Sequence, residues 1–168
     1  FIASNLIVSA LFGYGSFSET SVENSAQALF YFAFGLPAFS LIKVFSSFFF
    51  ARHDTKTPFY ISLVSVLLNI LISVLLFQKV GFIIIPIATS ISSWFNAIFL
   101  YIFSKKKDFF VFNDIFIYRF PRILISSLIM GLIFYFLLNL LSEKLIYSEN
   151  LKFIYLLLSI SVALISYV

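Results

Sequence analysis

The chain has 168 residues, 62% of them hydrophobic and 11% charged, with a formal net charge of +4 at pH 7. Soluble domains carry roughly 25% charged residues, so this composition excludes an ordinary water-soluble globule and marks an all-α integral membrane protein, a polytopic bundle of transmembrane helices. The absence of cysteine excludes disulfides and thiolate chemistry, and a single histidine argues against zinc; no cofactor, metal or nucleic-acid partner is expected.

Residues 1–12, "FIASNLIVSALF", read as the tail of a first helix, too short to span and without the basic flank of a signal peptide. The chain closes inside another apolar run, so both ends read as cut through helices and a longer protein is expected. The polar stretch "GYGSFSETSVEN" then leads into a second helix over about 25–50. Ser18 is placed there as an N-cap, with Phe17 and Val22 as a hydrophobic staple. Inside that helix, "FGLPAF" predicts a kink, because Pro37 removes a backbone bond and crowds the carbonyl of Ala33. Gly35 and Pro37 are therefore the hinge candidates, although kinked helices also occur in membrane proteins that do not move.

Lys43 is the one charge well inside a predicted span. It is open to two readings: snorkelling to the interface, or facing a cavity that receives an anionic group. The loop "ARHDTKTP", residues 51–58, follows and holds the only histidine. A His53–Asp54 catalytic pair is a poor reading, since adjacent residues seldom point at one reacting atom and no second acid is near. Thr57 is expected to cap a third helix over 59–78, with Pro58 at its first position. "QKVG" is a tight turn, and the fourth helix covers 82–103. The connector 104–120 is basic and aromatic, and is expected along the membrane interface. A fifth helix runs over 121–141 with Pro121 at its start, and a sixth begins near 151.

Lysine and arginine placement orients the spans. One side receives Lys43, Arg52, Lys56, Lys105, Lys106, Lys107, Arg119 and Arg122, against Lys79, Lys144 and Lys152 on the other. The first side is therefore cytoplasmic, and the 51–58 loop with it. Polar residues within the spans form stripes: Ser62, Ser65, Asn69 and Ser73 on the third helix, and Ala88, Thr89, Ser92, Ser93 and Asn96 on the fourth. Such stripes either pack helices against each other or line a wet pathway, and Lys43, Asn69 and Asn96 are the cavity candidates. The last two helices are more apolar, with small-residue seams at Ser127 and Gly131 and at Ser159 and Ala163.

Three words, "LFGYGSFS", "FGLPAFSLIKVFSSFFFARHDTKTP" and "IATSISSWFNAIFLY", resemble the C-terminal part of the MurJ (MviN) lipid II flippases. The similarity runs in order over residues 10–103. The most specific part is Ala-Arg-x-Asp-Thr-Lys-Thr-Pro, where the family commonly has glutamine and this chain has His53; Tyr14 also stands where the family often has a basic residue. The resemblance implies the C-terminal part of a fourteen-helix fold of the MOP exporter superfamily. Residues 1–103 would belong to its second lobe, 104–120 to a cytoplasmic connector, and 121–168 to two additional helices whose apolar groove suits an isoprenoid tail. It also implies a transporter rather than an enzyme, located in the bacterial cytoplasmic membrane. Its expected partners are lipid II, the undecaprenyl-diphosphate-linked peptidoglycan precursor, and the surrounding membrane lipids. Alternatives are an exporter of another lipid-linked oligosaccharide and a non-transporting structural subunit. Arg52, Asp54 and Lys56 are the candidates for cytoplasmic gating or headgroup contact. Because the chain has no cysteine, Thr55→Cys supplies a single thiol; it is expected to react with an impermeant maleimide only from the cytoplasmic side, and labelling from outside would overturn the orientation.

Overall fold

The computed structural model describes residues 3–13, 18–109, 114–141 and 152–167. Tyr14, the Phe17 half of the expected staple, residues 110–113 and the segment with Glu143, Lys144 and Glu149 lie outside them. The helices are α1 (Ser4–Phe12), α2 (Glu19–Phe50), α3 (Lys56–Val80), α4 (Ile84–Lys106), α5 (Asp114–Leu140) and α6 (Lys152–Tyr167). A short 3₁₀ turn, Gly81–Ile83, joins α3 to α4. Among the described residues, three helical stretches are long and apolar enough to cross a membrane: Glu19–Phe50, Lys56–Lys106 and Tyr118–Leu140. The second contains both α3 and α4, each of more than 20 residues and so able to cross a ~30 Å hydrocarbon layer at ~1.5 Å per residue. In the apolar window of Tyr118–Leu140 only 6% of residues are buried, which leaves leucine and isoleucine on the outside. That surface suits lipid, and the chain is an all-α polytopic membrane protein.

Three helices begin earlier than hydropathy suggests. α2 starts at Glu19, where Ser18 Oγ accepts the backbone N–H of Ser21 at 3.2 Å. This satisfies one of the donors left over at a helix start. α5 starts at Asp114, so Pro121 stands inside the helix instead of opening it. α3 begins at Lys56, which moves Pro58 from the first to the third helical position; its missing N–H is still one of the four unpaired donors of a first turn. Pro37 likewise lies within a continuous α2.

The chain forms two compact units, residues 28–111, and residues 1–27 with 112–168. In the second of these units, Ala3, Ala10, Leu138 and Leu156 form a buried cluster, while Val8, Val22 and Ala26 form another. The small residues of α6 belong to its buried face: Ser159 and Ala163 are both inside, and Ser159 Oγ donates to the carbonyl of Tyr155 at 2.9 Å.

In the unit 28–111, α3 and α4 are antiparallel and reverse at Gly81. Its φ of 76° with ψ of −155° lies where a Cβ is not tolerated, so glycine is required for the turn. α2 packs against α4 near its own proline. Ser90 Oγ donates to the carbonyl of Tyr31 at 2.7 Å, and Trp94 Nε1 to that of Phe34 at 2.9 Å. Gly35 makes this approach possible. A Cβ there would meet Ser90 Oγ at 3.1 Å, Phe39 at 3.2 Å and Ser90 Cα at 3.4 Å. Alanine gains about 1 kcal/mol of helix propensity over glycine, which offsets most of so small an intrusion. A larger side chain cannot be offset, because overpacking costs about 1–3 kcal/mol. Gly35→Ala is thus expected to leave the thermal midpoint in detergent within a few degrees of the original, and Gly35→Leu to lower it clearly. An unchanged midpoint in the leucine variant would remove the case for a close α2–α4 contact.

Candidate loop knot and interhelical polar ladder

α2 and α4 end in the same way. At the end of α2, His53 N donates to Phe50 O and Asp54 N to Phe49 O, with His53 at φ 58°. At the end of α4, Asp108 N donates to Lys105 O and Phe109 N to Ser104 O, with Asp108 at φ 53°. Each is a Schellman cap, a reversal that glycine usually makes. His53 therefore has a backbone task, since histidine and aspartate enter the left-handed region more readily than most side chains.

These two caps bring the 51–58 loop and the end of α4 together. Asp54 Oδ1 accepts the backbone N–H of Thr57 at 3.1 Å, and Oδ2 accepts the Thr57 hydroxyl at 2.8 Å. Asp54, not Thr57, therefore caps α3. Lys107 Nζ reaches Asp54 Oδ2 at 2.5 Å and Thr57 Oγ1 at 3.1 Å. Arg52 lies over the ring of Phe109, 4.4 Å from its centroid, and donates to the carbonyl of Phe48 at 3.4 Å. Phe109 in turn meets the fully buried Phe49 edge to face at 5.4 Å. Phe45, Phe49, Ile61 and Leu100 form the apolar base under this knot. Lys56 stands exposed at the first turn of α3, apart from it. A lysine at a helix amino end opposes the helix dipole, so its placement there does not serve helix stability.

Lys107 draws down the pKa of Asp54 to about 2 from its ordinary 3.8, with the Thr57 N–H and hydroxyl adding to the effect. The carboxylate form is the one these donors hold. Its stabilisation is fully present above pH 3.8 and is lost as the pH falls through about 2.

Deeper along the hairpin, the two stripes meet. Asn69 Nδ2 donates to Thr89 Oγ1 at 3.1 Å and to Ser92 Oγ at 3.2 Å, and Asn96 Nδ2 donates to Ser62 Oγ at 3.3 Å. With Asp54 and Lys107 these are rungs of one antiparallel ladder. Ser65 is satisfied within its own helix, donating to Ile61 O at 3.0 Å. Ser73 Oγ and Asn96 Oδ1 are buried and make no hydrogen bond among the described residues. Lys43 does not join the ladder. It is exposed on α2 and lines a groove of about 550 Å³ with Ile42, Ser46, Phe50, Thr55, Pro58, Phe59 and Ser62.

This arrangement contains no group of histidine, cysteine, aspartate and glutamate able to hold a metal among the described residues. A polar loop tied to a helix end, over spans joined by polar rungs, suits a membrane protein that keeps one helical hairpin rigid. The family model described as "Lipid II flippase MurJ" matches residues 1–156.

The chain belongs to the MurJ family.

Individual relatives agree. A protein of Rickettsia prowazekii named "Probable lipid II flippase MurJ" is 39% identical over 106 residues, covering 63% of this chain and 21% of that protein. Proteins of the same printed name from Rhizobium tropici and Thermotoga maritima are 32% and 40% identical over 130 and 97 residues. These cover 77% and 58% of this chain, and 24% and 20% of theirs. The chain thus spans about a fifth to a quarter of the length of the MurJ relatives it matches.

The knot orders the effects of substitution. Asp54→Ala removes both the α3 cap and the ion pair and is expected to cost about 1–2 kcal/mol. Lys107→Ala removes the partly exposed ion pair and the bond to Thr57 Oγ1 but leaves the cap, about 0.2–1 kcal/mol. Asp54→Asn, which still caps, falls between them. In chemical denaturation between pH 4 and 2 the parent is expected to lose stability relative to Asp54→Asn; parallel curves would show that the carboxylate charge contributes nothing.

Proposed function

We propose that this chain is part of a lipid II flippase, which moves the undecaprenyl-diphosphate-linked peptidoglycan precursor from the inner to the outer leaflet of the bacterial cytoplasmic membrane by alternating access. The family match over residues 1–156 carries this reading. It describes a transporter, with lipid II as its substrate and no bond-making step assigned to the chain. In the fourteen-helix arrangement, α1 is the end of helix nine and α2 to α6 are helices ten to fourteen. Residues 1–103 then belong to the second lobe, 104–120 to the connector, and 121–168 to the two additional helices.

A diphosphate headgroup cannot enter hydrocarbon without polar partners, and a lobe that alternates between two faces must move without exposing its own polar groups. The α3–α4 ladder supports the second requirement. The amide nitrogens of Asn69 and Asn96 are occupied between the two helices, so the hairpin moves as one body. On the first requirement, Asn96 Oδ1, which has no hydrogen-bond partner among the described residues, keeps Asn96 among the cavity candidates with Asn69. The knot supports a gating role for Arg52 and Asp54, because it couples the α2–α3 loop to the end of α4. Lys56 remains exposed for contact with an anionic headgroup. Motion within α2 falls to Gly35 and Pro37, where the proline withdraws a backbone bond.

The test is to express the protein of full family length that carries this chain in cells depleted of their own flippase, and to measure lipid II at the outer leaflet. Rescue is expected. Arg52→Ala and Lys56→Ala should each lower the rate about two- to fivefold, the size of an exposed cation interaction. His53→Gln should match the parent. Stable insertion without rescue would sink the flippase reading, and loss of activity in His53→Gln would return a chemical role to the histidine.

A further inference from the structure

The groove between α2 and α3 collects polar groups that the fold itself does not use. Its walls are one face of each helix: Ile42, Lys43, Ser46 and Phe50 on α2, and Pro58, Phe59 and Ser62 on α3, with Thr55 at the rim. Other serines of this unit donate to carbonyls three or four residues back in their own helices, as Ser40, Ser47, Ser65 and Ser104 do. Ser46 does not. Thr55 is the N-cap of α3, yet its hydroxyl makes no capping bond, because Asp54 performs that task. Among the described residues, the side chains of Lys43, Ser46 and Thr55 have no hydrogen-bond or ion-pair partner. The volume of about 550 Å³ falls within the ~300–1,000 Å³ of small-molecule sites.

We propose that this groove binds the phosphate of an anionic membrane phospholipid, with Lys43 supplying the charge and Ser46 and Thr55 donating hydrogen bonds. The apolar half of the groove selects a lipid over a free anion. Ile42, Phe50, Pro58 and Phe59 offer an alkyl chain a wall, for which inorganic phosphate has no use. Charge counting selects among lipids. One lysine matches the single negative charge of a phosphodiester such as that of phosphatidylglycerol. A zwitterionic lipid brings its own ammonium beside the phosphate, which leaves Lys43 little to gain. A diphosphate carries at least two charges against that one cation. Depth agrees as well: Lys43 lies seven residues before Phe50, about 10 Å along α2, within reach of the headgroup layer on the basic side. This site does not depend on the transport reading.

The test uses the protein of full family length that carries this chain, placed in nanodiscs of phosphatidylglycerol and phosphatidylethanolamine. Photoreactive acyl chains are carried by one lipid at a time, and the cross-linked residues are mapped by mass spectrometry. Phosphatidylglycerol is expected to cross-link within residues 42–50 and 55–62. Lys43→Gln should lower that yield about fivefold, the equivalent of ~1 kcal/mol of attraction per lysine near a membrane surface. Lys43→Arg should retain it, and Lys79→Gln should leave it unchanged. Ser46→Leu, which fills the groove but keeps the charge, should also lower it; this keeps the outcome decidable if Lys43→Gln does not fold. Equal cross-linking in Lys43→Gln and the parent would overturn the proposal, as would phosphatidylethanolamine cross-linking as strongly. Displacement of phosphatidylglycerol by substoichiometric undecaprenyl diphosphate would also overturn it, and would assign the groove to the transported substrate.

Discussion

An asparagine amide in hydrocarbon has no water to bond, and in α3 and α4 this constraint decides how two long spans pair. Asn69 reaches Thr89 and Ser92, and Asn96 reaches Ser62. Individually such bonds contribute only about 0.6 kcal/mol in a membrane. Their larger effect is on register. Sliding one helix past the other by a turn would part each amide from its hydroxyl, and every unpaired buried group costs about 1–3 kcal/mol. Leucine and isoleucine faces carry no such penalty, because lipid tails are as good a neighbour as another helix. The apolar residues therefore place the helices in the membrane, and the few polar ones specify the pair.

The knot at the helix ends extends the same register into water. Asp54 and Lys107 continue the rungs beyond the spans, and the aromatic pair Phe49 and Phe109 roofs the apolar base. A loop that joins two membrane helices is commonly the slack part of a bundle. Here it is capped at one end by a Schellman reversal and at the other by Asp54, with Arg52 seated on an aromatic ring. Motion between α2 and α3 must then come from the helices, not from the five residues that join them. The α2 segment around Gly35 and Pro37 has one feature suited to that, a missing backbone bond, and one opposed to it, a close contact with Ser90.

The spans were legible because about 20 consecutive apolar residues have few other uses, and the stripes on α3 and α4 because serine and asparagine recur there at helical spacing. The true starts of α2 and α5 were not. Residues 19–24 are helical although mostly polar, and 114–120 although Asp114 and Arg119 interrupt the apolar run; hydropathy does not register backbone hydrogen bonding. Pro121 does not mark the start of α5, since proline favours a first turn but tolerates an interior position in membrane helices. In the sequence Lys107 is indistinguishable from its neighbours Lys105 and Lys106 in a basic connector. Its partner Asp54 is 53 residues away, and no local pattern marks such a pair. The reversal at His53 was hidden because it lacks the glycine that usually signals it. The proline two residues on marks Gly35 as a hinge, whereas its missing side chain matters for proximity.

The turn at Gly81 bears on how the chain enters a bilayer. It places the partners of Asn69 only 20 and 23 residues further along, and that of Asn96 34 residues back. An asparagine inserted alone must carry its desolvation penalty until a neighbour arrives. A hairpin closed by three residues brings that neighbour in the same segment, as synthesis proceeds. α3 and α4 are thus suited to partition from the insertion machinery as a pair, with Asn69 and Asn96 already bonded. On this view Gly81 contributes to biogenesis before it contributes to the finished fold.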